Sequence, residues 1–294
     1  MNAKNSKTYT ALSALMLTLL LAACGDKPET MLISAKDYLA KNDSKAAIIQ
    51  IKNALQSNPD LPEARFLLGT TLLESGDPVG AELELRKALE LKHPQDLVAP
   101  QLARAMLAQG QAKKLIDEFA KMELSQASAK ASLQLSLASA YAMQGKTEIS
   151  QAALNAALLA EPGYAPALIA QARQKTAQRD FDGALAMADE VIAKSPKNHD
   201  AWNLKGDILR FAKNQVDEAL AAYRKAIEIK PDFLVGHAAV IAILLQQGNL
   251  TDAGTQIEKM KKFASHHPQT KYLEAQLAFQ KWTSNWHGIW CSRF

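Results

Sequence analysis

The chain has 294 residues, 48% hydrophobic and 22% charged, a balance that excludes a disordered polypeptide. Aromatics make up only 6%, Gly and Pro number 13 and 11, and Ala, Leu, Gln and Lys dominate, so an all-α class is expected. The formal charge of +4 includes Lys4 and Lys7, and no Lys/Arg block interleaved with aromatics occurs, which argues against nucleic acid as a partner.

In chain order, residues 1–7 carry two lysines and no acid, and residues 8–23 (TYTALSALMLTLLLAA) carry no charge. Sixteen such residues fall short of the ~20 that a membrane-spanning helix needs. A basic start, an apolar middle and small residues at the end match an export signal. LAAC, Leu21 to Cys24, resembles the lipobox of bacterial lipoproteins. That resemblance implies a thioether-linked diacylglycerol on Cys24, cleavage before it and acylation of the new N-terminus. Gly25 rather than Asp follows the cysteine. By the same resemblance this favours the outer membrane, with the chain facing the periplasm. The expected organisation is a signal peptide over 1–23 and a lipidated tether over 24–27; a buried cysteine in an uncleaved anchor helix is the alternative.

Beyond the tether, Pro59, Pro94, Pro162, Pro196, Pro231 and Pro268 recur at spacings of 35, 68, 34, 35 and 37, and 68 is twice 34. Each follows an apolar segment with helical character, such as LNAALLAEP or YRKAIEIKP, and proline ends a helix there. Turn signals such as NDSKAA, SGDPVGA, RDFDGA and QGNLTDA lie between them. The unit is helix, short turn, helix and proline, about 34 residues long.

These units resemble tetratricopeptide repeats. The sixth carries the pattern most fully: Trp202, Gly206, Ala219, Tyr223, Ala226 and Pro231 fall on signature places, with one extra residue in the turn. The fourth offers Leu137, Ala138, Tyr141, Gly145, Ala157 and Pro162, with Ser150 in place of an alanine, and the second gives Leu68, Gly69, Gly76, Ala81 and Ala88. Seven units are placed at 28–61, 62–95, 96–130, 131–164, 165–198, 199–233 and 234–267. The third is degenerate and lacks a closing proline. The resemblance implies a right-handed α-solenoid in which neighbours bury each other's apolar faces and first helices line a concave groove.

Residues 268–281 read as the first helix of an incomplete eighth repeat, the mark of a truncated array, and 282–294 as an atypical tail. Trp282, Trp286 and Trp290 recur every four residues there, and the tail is expected to be poorly ordered or to extend the last helix loosely.

No phosphate-binding Gly-rich loop, G-x-S-x-G or H-E-x-x-H occurs, so no catalytic residue, cofactor or metal is assigned and the chain is not expected to be an enzyme. His287 and Cys291 stand at i and i+4 but make too few ligands for a metal site. Binding remains. The resemblance places groove positions at Asn203, Asp207 and Arg210 in the sixth unit, Arg173 in the fifth and Arg104 in the third. An Asn with nearby Arg suits a peptide backbone or carboxylate; solvated polar groups on an open face are the alternative. Leu135, Ser139 and Ala142 in the fourth unit, and Ala238, Ala242 and Leu245 in the seventh, give a mixed lining suited to an extended or helical partner. Among lipoproteins of this build, the sequence is similar to the repeat lipoprotein that accompanies exosortase/PEP-CTERM sorting and exopolysaccharide production. The implied role is a scaffold for envelope or polysaccharide-export proteins. An outer-membrane assembly lipoprotein, such as a secretin pilotin or a barrel-assembly accessory, is the alternative.

Overall fold

The computed structural model describes residues 27–291, with side chains to residue 283; the expected signal peptide over 1–23, Cys24 and tether residues 25–26, and the side chains of Trp286, His287, Trp290 and Cys291, lie outside the described residues. Fifteen α-helices and one π turn make up the described secondary structure, with no strand among the described residues. None of the helices searched is long and apolar enough to cross a membrane.

Two compact units divide at Ala153/Leu154. The first contains α1 (Pro28–Ala40), α2 (Ser44–Ser57), α3 (Pro62–Glu74), α4 (Pro78–Glu90), α5 (Gln95–Ala108), α6 (Ala112–Phe119) and α7 (Ala127–Met143). Helix α8 (Thr147–Ala160) runs across the division. The second contains α9 (Ala165–Ala177), α10 (Phe181–Lys194), α11 (His199–Asp207), the π turn Ile208–Ala212, α12 (Val216–Ile229), α13 (Leu234–Gln246), α14 (Leu250–Ala264) and α15 (Pro268–Cys291).

Turn chemistry fixes the pairing of helices before packing enters. The residue before each second helix's cap is left-handed: φ is 58° at Asn42, 85° at Gly76, 65° at Arg179 and 55° at Asn214. That conformation reverses the chain at a helix C-terminus. Where the next residue is Asp, it caps the following helix. Asp43 accepts from Ala46 N at 3.0 Å, Asp77 from Gly80 N at 2.9 Å and Asp180 from Gly183 N at 3.0 Å. Each such cap stabilises its helix by about 1 kcal/mol.

Small residues then let paired helices close. A Cβ on Gly69 of α3 would lie 2.7 Å from Leu85 Cγ of α4, and one on Gly206 of α11 would lie 2.6 Å from Tyr223 Cε1 of α12. Tyr223 and Leu85 are completely buried. In the first unit Leu32, Ala35, Ile51, Ala54 and Leu68 form one core cluster. In the second, Val240, Ile241, Ile257 and Met260 gather with Tyr223 in another.

The degenerate third unit is built differently. Without a closing proline, α6 spans only eight residues and ends at Phe119. The start of α7 is instead tied back to α5: Asp96 accepts from Ser125 N at 2.7 Å, Ser125 Oγ at 2.6 Å and Gln126 N at 3.1 Å. These donors hold the Asp96 carboxyl below its ordinary range. At the other end, α15 continues as one helix through the atypical tail to Cys291.

Candidate partner-binding face

The densest group of sequence-predicted site residues lies in the second unit, on α9, α11 and the π turn. Asn198 caps α11, accepting from Ala201 N at 3.0 Å, and the chain runs as α-helix to Asp207. There the extra residue of the sixth repeat takes effect. It does not lengthen the inter-helix turn, as the sequence pattern implied; it widens the end of the first helix into the π turn Ile208–Ala212. A π turn absorbs one residue within a helix. Lys213 N bonds Ile208 O at 3.2 Å and Gln215 N bonds Leu209 O at 2.8 Å, so the two-residue turn at Asn214 and Gln215 keeps its form.

Asp207 is the hub of the face. Asn203, one turn earlier, donates its Nδ2 to Asp207 Oδ2 at 3.1 Å, and Tyr223 donates its hydroxyl to Asp207 Oδ1 at 2.7 Å. Gly206 makes the second bond reachable, because only a residue without Cβ lets the Tyr223 ring lie against α11. Burial pushes the Asp207 carboxyl up, opposed by the Tyr223 hydroxyl and by the charges of Arg173 and Arg210. Burial and the same carboxylate push the Tyr223 phenol far above its ordinary range.

Asn203 itself differs from the expected groove residue. It is only 5% exposed, and its donor is spent on Asp207. Because an ionised carboxylate only accepts, the Nδ2 must face it, which leaves Oδ1 buried without a hydrogen-bond partner. Asn203 therefore positions Asp207, and the groups at the surface are Asp207, Arg173 and Arg210. Arg210 reaches Gln246 Oε1 of α13 at 3.5 Å and lies over the Phe211 ring, 4.9 Å from its centroid. Arg173 is exposed on α9.

Beside these charges is a cleft of about 360 Å³ lined mainly by Arg173, Phe181, Leu204, Asp207, Ile208 and Phe211. Phe211 is 73% exposed. Sequence reasoning did not single out Phe211; its signal was the extra residue in the sixth repeat, which marks where helical register breaks.

Other expected positions lie apart from this cluster or serve the core. Arg104 belongs to the first unit, where it is exposed and donates to Gln101 Oε1 at 2.8 Å. Ser139 in α7 turns its hydroxyl to Leu135 O at 3.1 Å. Leu245 is buried in the α13–α14 core rather than presented to a partner. Among the described residues, no three His, Cys, Asp or Glu side chains converge as a metal site.

The tetratricopeptide repeat family model matches residues 34–96 and 169–232, the second of which contains this cluster. No curated protein matches the sequence. Among solved structures, a tetratricopeptide repeat protein from Parabacteroides merdae superimposes with a TM-score of 0.56 at 15% identity, covering 86% of this chain and 100% of that one. Yeast Tom70 superimposes with a TM-score of 0.59 at 18% identity, covering 88% of this chain and 58% of that one. At these identities the likeness is one of fold. Residues 34–96 and 169–232 are tetratricopeptide repeats, and the fold that surrounds them is that of a tetratricopeptide-repeat protein.

Proposed function

We propose that the chain is a non-catalytic docking scaffold whose second unit holds an extended segment of a partner protein across α9, α11 and the π turn. One observation carries this reading: Asp207, fixed by two donors inside the repeat and near the charge of Arg210, stands with Arg173 at the edge of an open apolar cleft. Apolar walls with a few oriented polar groups suit ligand recognition. Charge reversal at Arg173 and Arg210 together tests it. In cells producing the tagged full chain, that variant loses the partners recovered by the parent, whereas Arg104→Glu keeps them. Equal recovery by both variants contradicts the assignment of the face.

The sequence supports a setting for this scaffold. Cys24 bears the lipid anchor, holding the repeats at the outer membrane on its periplasmic side. One acyl chain anchors only marginally, at about 0.8 kcal/mol per buried CH₂, and three make release negligible. Partners are then envelope proteins, in exosortase/PEP-CTERM-linked exopolysaccharide production or export. Cys24→Ala releases the chain to the soluble fraction or leaves an unprocessed precursor; fully processed, membrane-bound Cys24→Ala protein contradicts lipidation.

A further inference from the structure

A second surface of the same unit is aromatic and carries almost no charge. On α15, Leu273 and Leu277 enter the core shared with α13 and α14, and Thr270 is fully buried. Helical periodicity puts Tyr272, Ala275, Phe279 and Trp282 on the opposite side. The three rings are 59%, 64% and 57% exposed. Those of Phe279 and Trp282 lie 6.2 Å apart with their planes 34° from parallel, a shallow platform rather than a socket. Apolar groups exposed in a row, unlike single ones, mark a contact site.

Repeat register says what lies beside the rings. Tyr272 and Phe279 stand 34 residues after Ala238 and Leu245 of α13, which packs against α15. Helix α13 contains no Asp, Glu, Lys or Arg, and Ala238 and Ala242 are half-buried on it, a low floor next to the rings. Gln269, Gln276 and Gln280 recur along one edge of the aromatic stripe. The charges of α15 fall on its other edge. Lys271 meets Glu274 at 3.1 Å, Glu274 meets Lys261 of α14 at 3.2 Å, and Lys281 borders α14 beside Gly254 and Thr255. Arg210 meets α13 at its last residue, Gln246.

These features choose among ligands. An anionic lipid surface calls for a cationic rim, and this edge is made of amides. A primary amide offers two donors and an acceptor, which matches hydroxyl groups that both donate and accept. The negative face of an aromatic ring attracts the weakly positive C–H face of a flat saturated ring. From Tyr272 to Trp282 the stripe runs about 15 Å along the helix, which calls for a chain of rings and not a single one. We infer that the α13–α15 face binds a neutral oligosaccharide, its rings stacked on Tyr272, Phe279 and Trp282 and its hydroxyls held by the glutamine edge. This site is independent of protein docking beside Asp207.

Affinity electrophoresis of the full chain tests it, in gels containing a β-glucan, an α-glucan or a galactomannan, with alginate as the anionic control. At least one neutral polymer retards the parent. Tyr272→Ser and Phe279→Ser each raise the apparent dissociation constant about tenfold, and the double variant migrates as if no polymer were present. Gln276→Leu, which keeps the rings, also weakens retardation, whereas Arg173→Glu leaves it unchanged. Tyr272 and Phe279 are exposed, so the double variant keeps the fold, which unchanged helical circular dichroism verifies. No retardation by any neutral polymer, retardation by alginate alone, or undiminished retardation of the double variant overturns the proposal. Binding to phosphatidylglycerol vesicles, or self-association in sedimentation velocity, that the double variant abolishes while no glycan retards the parent assigns the face to lipid or to a second copy, and overturns it too.

Discussion

The α3–α4 and α11–α12 pairs use one backbone plan for two purposes. Each has a glycine in the first helix against a buried side chain of the second, Gly69 with Leu85 and Gly206 with Tyr223. In α3 the residue after the glycine is Thr70, whose hydroxyl returns to Phe66 O and Leu67 O of its own helix, and Phe66 stacks on His93. In α11 the residue after the glycine is Asp207, held by Asn203 and Tyr223 and facing Arg173 and Arg210. The first pair spends its polar groups on neighbouring protein groups, in the well-packed Arg65–Glu84 ion pair at 2.6 Å within it and in Arg86–Glu118 at 3.0 Å to α6. The second keeps a carboxylate that burial disfavours, leaves Asn203 Oδ1 unpaired and exposes Phe211. Departures of this kind from local satisfaction concentrate where a protein binds something. The repeat supplies the frame, and substitutions at a few positions turn one frame into a surface.

The glycines offer the strongest way to break that comparison. Gly206→Ala drives a methyl into three atoms of a rigid ring, whereas Gly69→Ala meets the aliphatic side chain of Leu85, with the Ala81 carbonyl oxygen 3.2 Å away. Helix propensity repays part of each, so losses of about 2–3 kcal/mol for Gly206→Ala and about 1 kcal/mol for Gly69→Ala are expected in urea unfolding. Equal losses would mean that the tyrosine is no more constraining than the leucine.

Next comes the hub. Tyr223→Phe removes one donor from a partly buried carboxylate and costs about 1–2 kcal/mol, while Thr70→Ala costs less than about 0.5 kcal/mol, both read from thermal unfolding. The sign for Asp207→Asn is opposite. Because burial raises the Asp207 pKa in the folded chain, its contribution is most favourable below its ordinary titration and is lost as pH rises through the folded value. At pH 7, Asp207→Asn is therefore as stable as the parent or more so, by up to about 1 kcal/mol, and its new amide donor meets the free Asn203 Oδ1.

Histidines sharpen the comparison through pH. His237 is buried, with Nε2 donating to Pro231 O at 2.9 Å and Nδ1 accepting from Gln256 Nε2 at 2.7 Å, a pairing that needs the neutral ring. Burial lowers its pKa, and that of His93, below the ordinary value. The unfolded chain thus binds more protons at acid pH, so their stabilisation is present above about pH 6.5 and lost as pH falls. Unfolding free energy drops by about 1 kcal/mol between pH 7 and pH 5, and His237→Gln flattens the slope more than His93→Phe does. The smallest effect lies in the turns. Arg179, at φ 65°, occupies the place that Gly76 fills in the second repeat, so Arg179→Gly raises stability by about 0.5–1 kcal/mol.

What was legible in the sequence follows from which rules are local. Proline spacing and turn residues act over a few positions, so helix pairs could be placed from Pro59, Gly76 or Asp180 alone. Close packing of Gly206 and Tyr223 was legible too, because a small residue facing a large one is itself the pattern. The role of Asn203 was not. Spacing puts Asn203 and Asp207 on one helical face, but only burial and the position of Tyr223 decide that the amide is consumed there. The π turn was legible only as a surplus residue, since whether it enters a helix or a turn depends on keeping Ile208 and Leu209 in the core. In the third unit the missing proline was visible, but the Asp96–Ser125 tie that replaces it joins residues far apart in sequence.

The central claim is that a partner docks on the second unit's face and not on the first unit. A photoreactive residue placed at Phe211, or at the 55%-exposed Leu83 of α4, reads this directly in living cells. The account predicts a discrete adduct from position 211, abolished by reversing Arg173 and Arg210, and none from position 83. An adduct from position 83 with none from position 211 would contradict it.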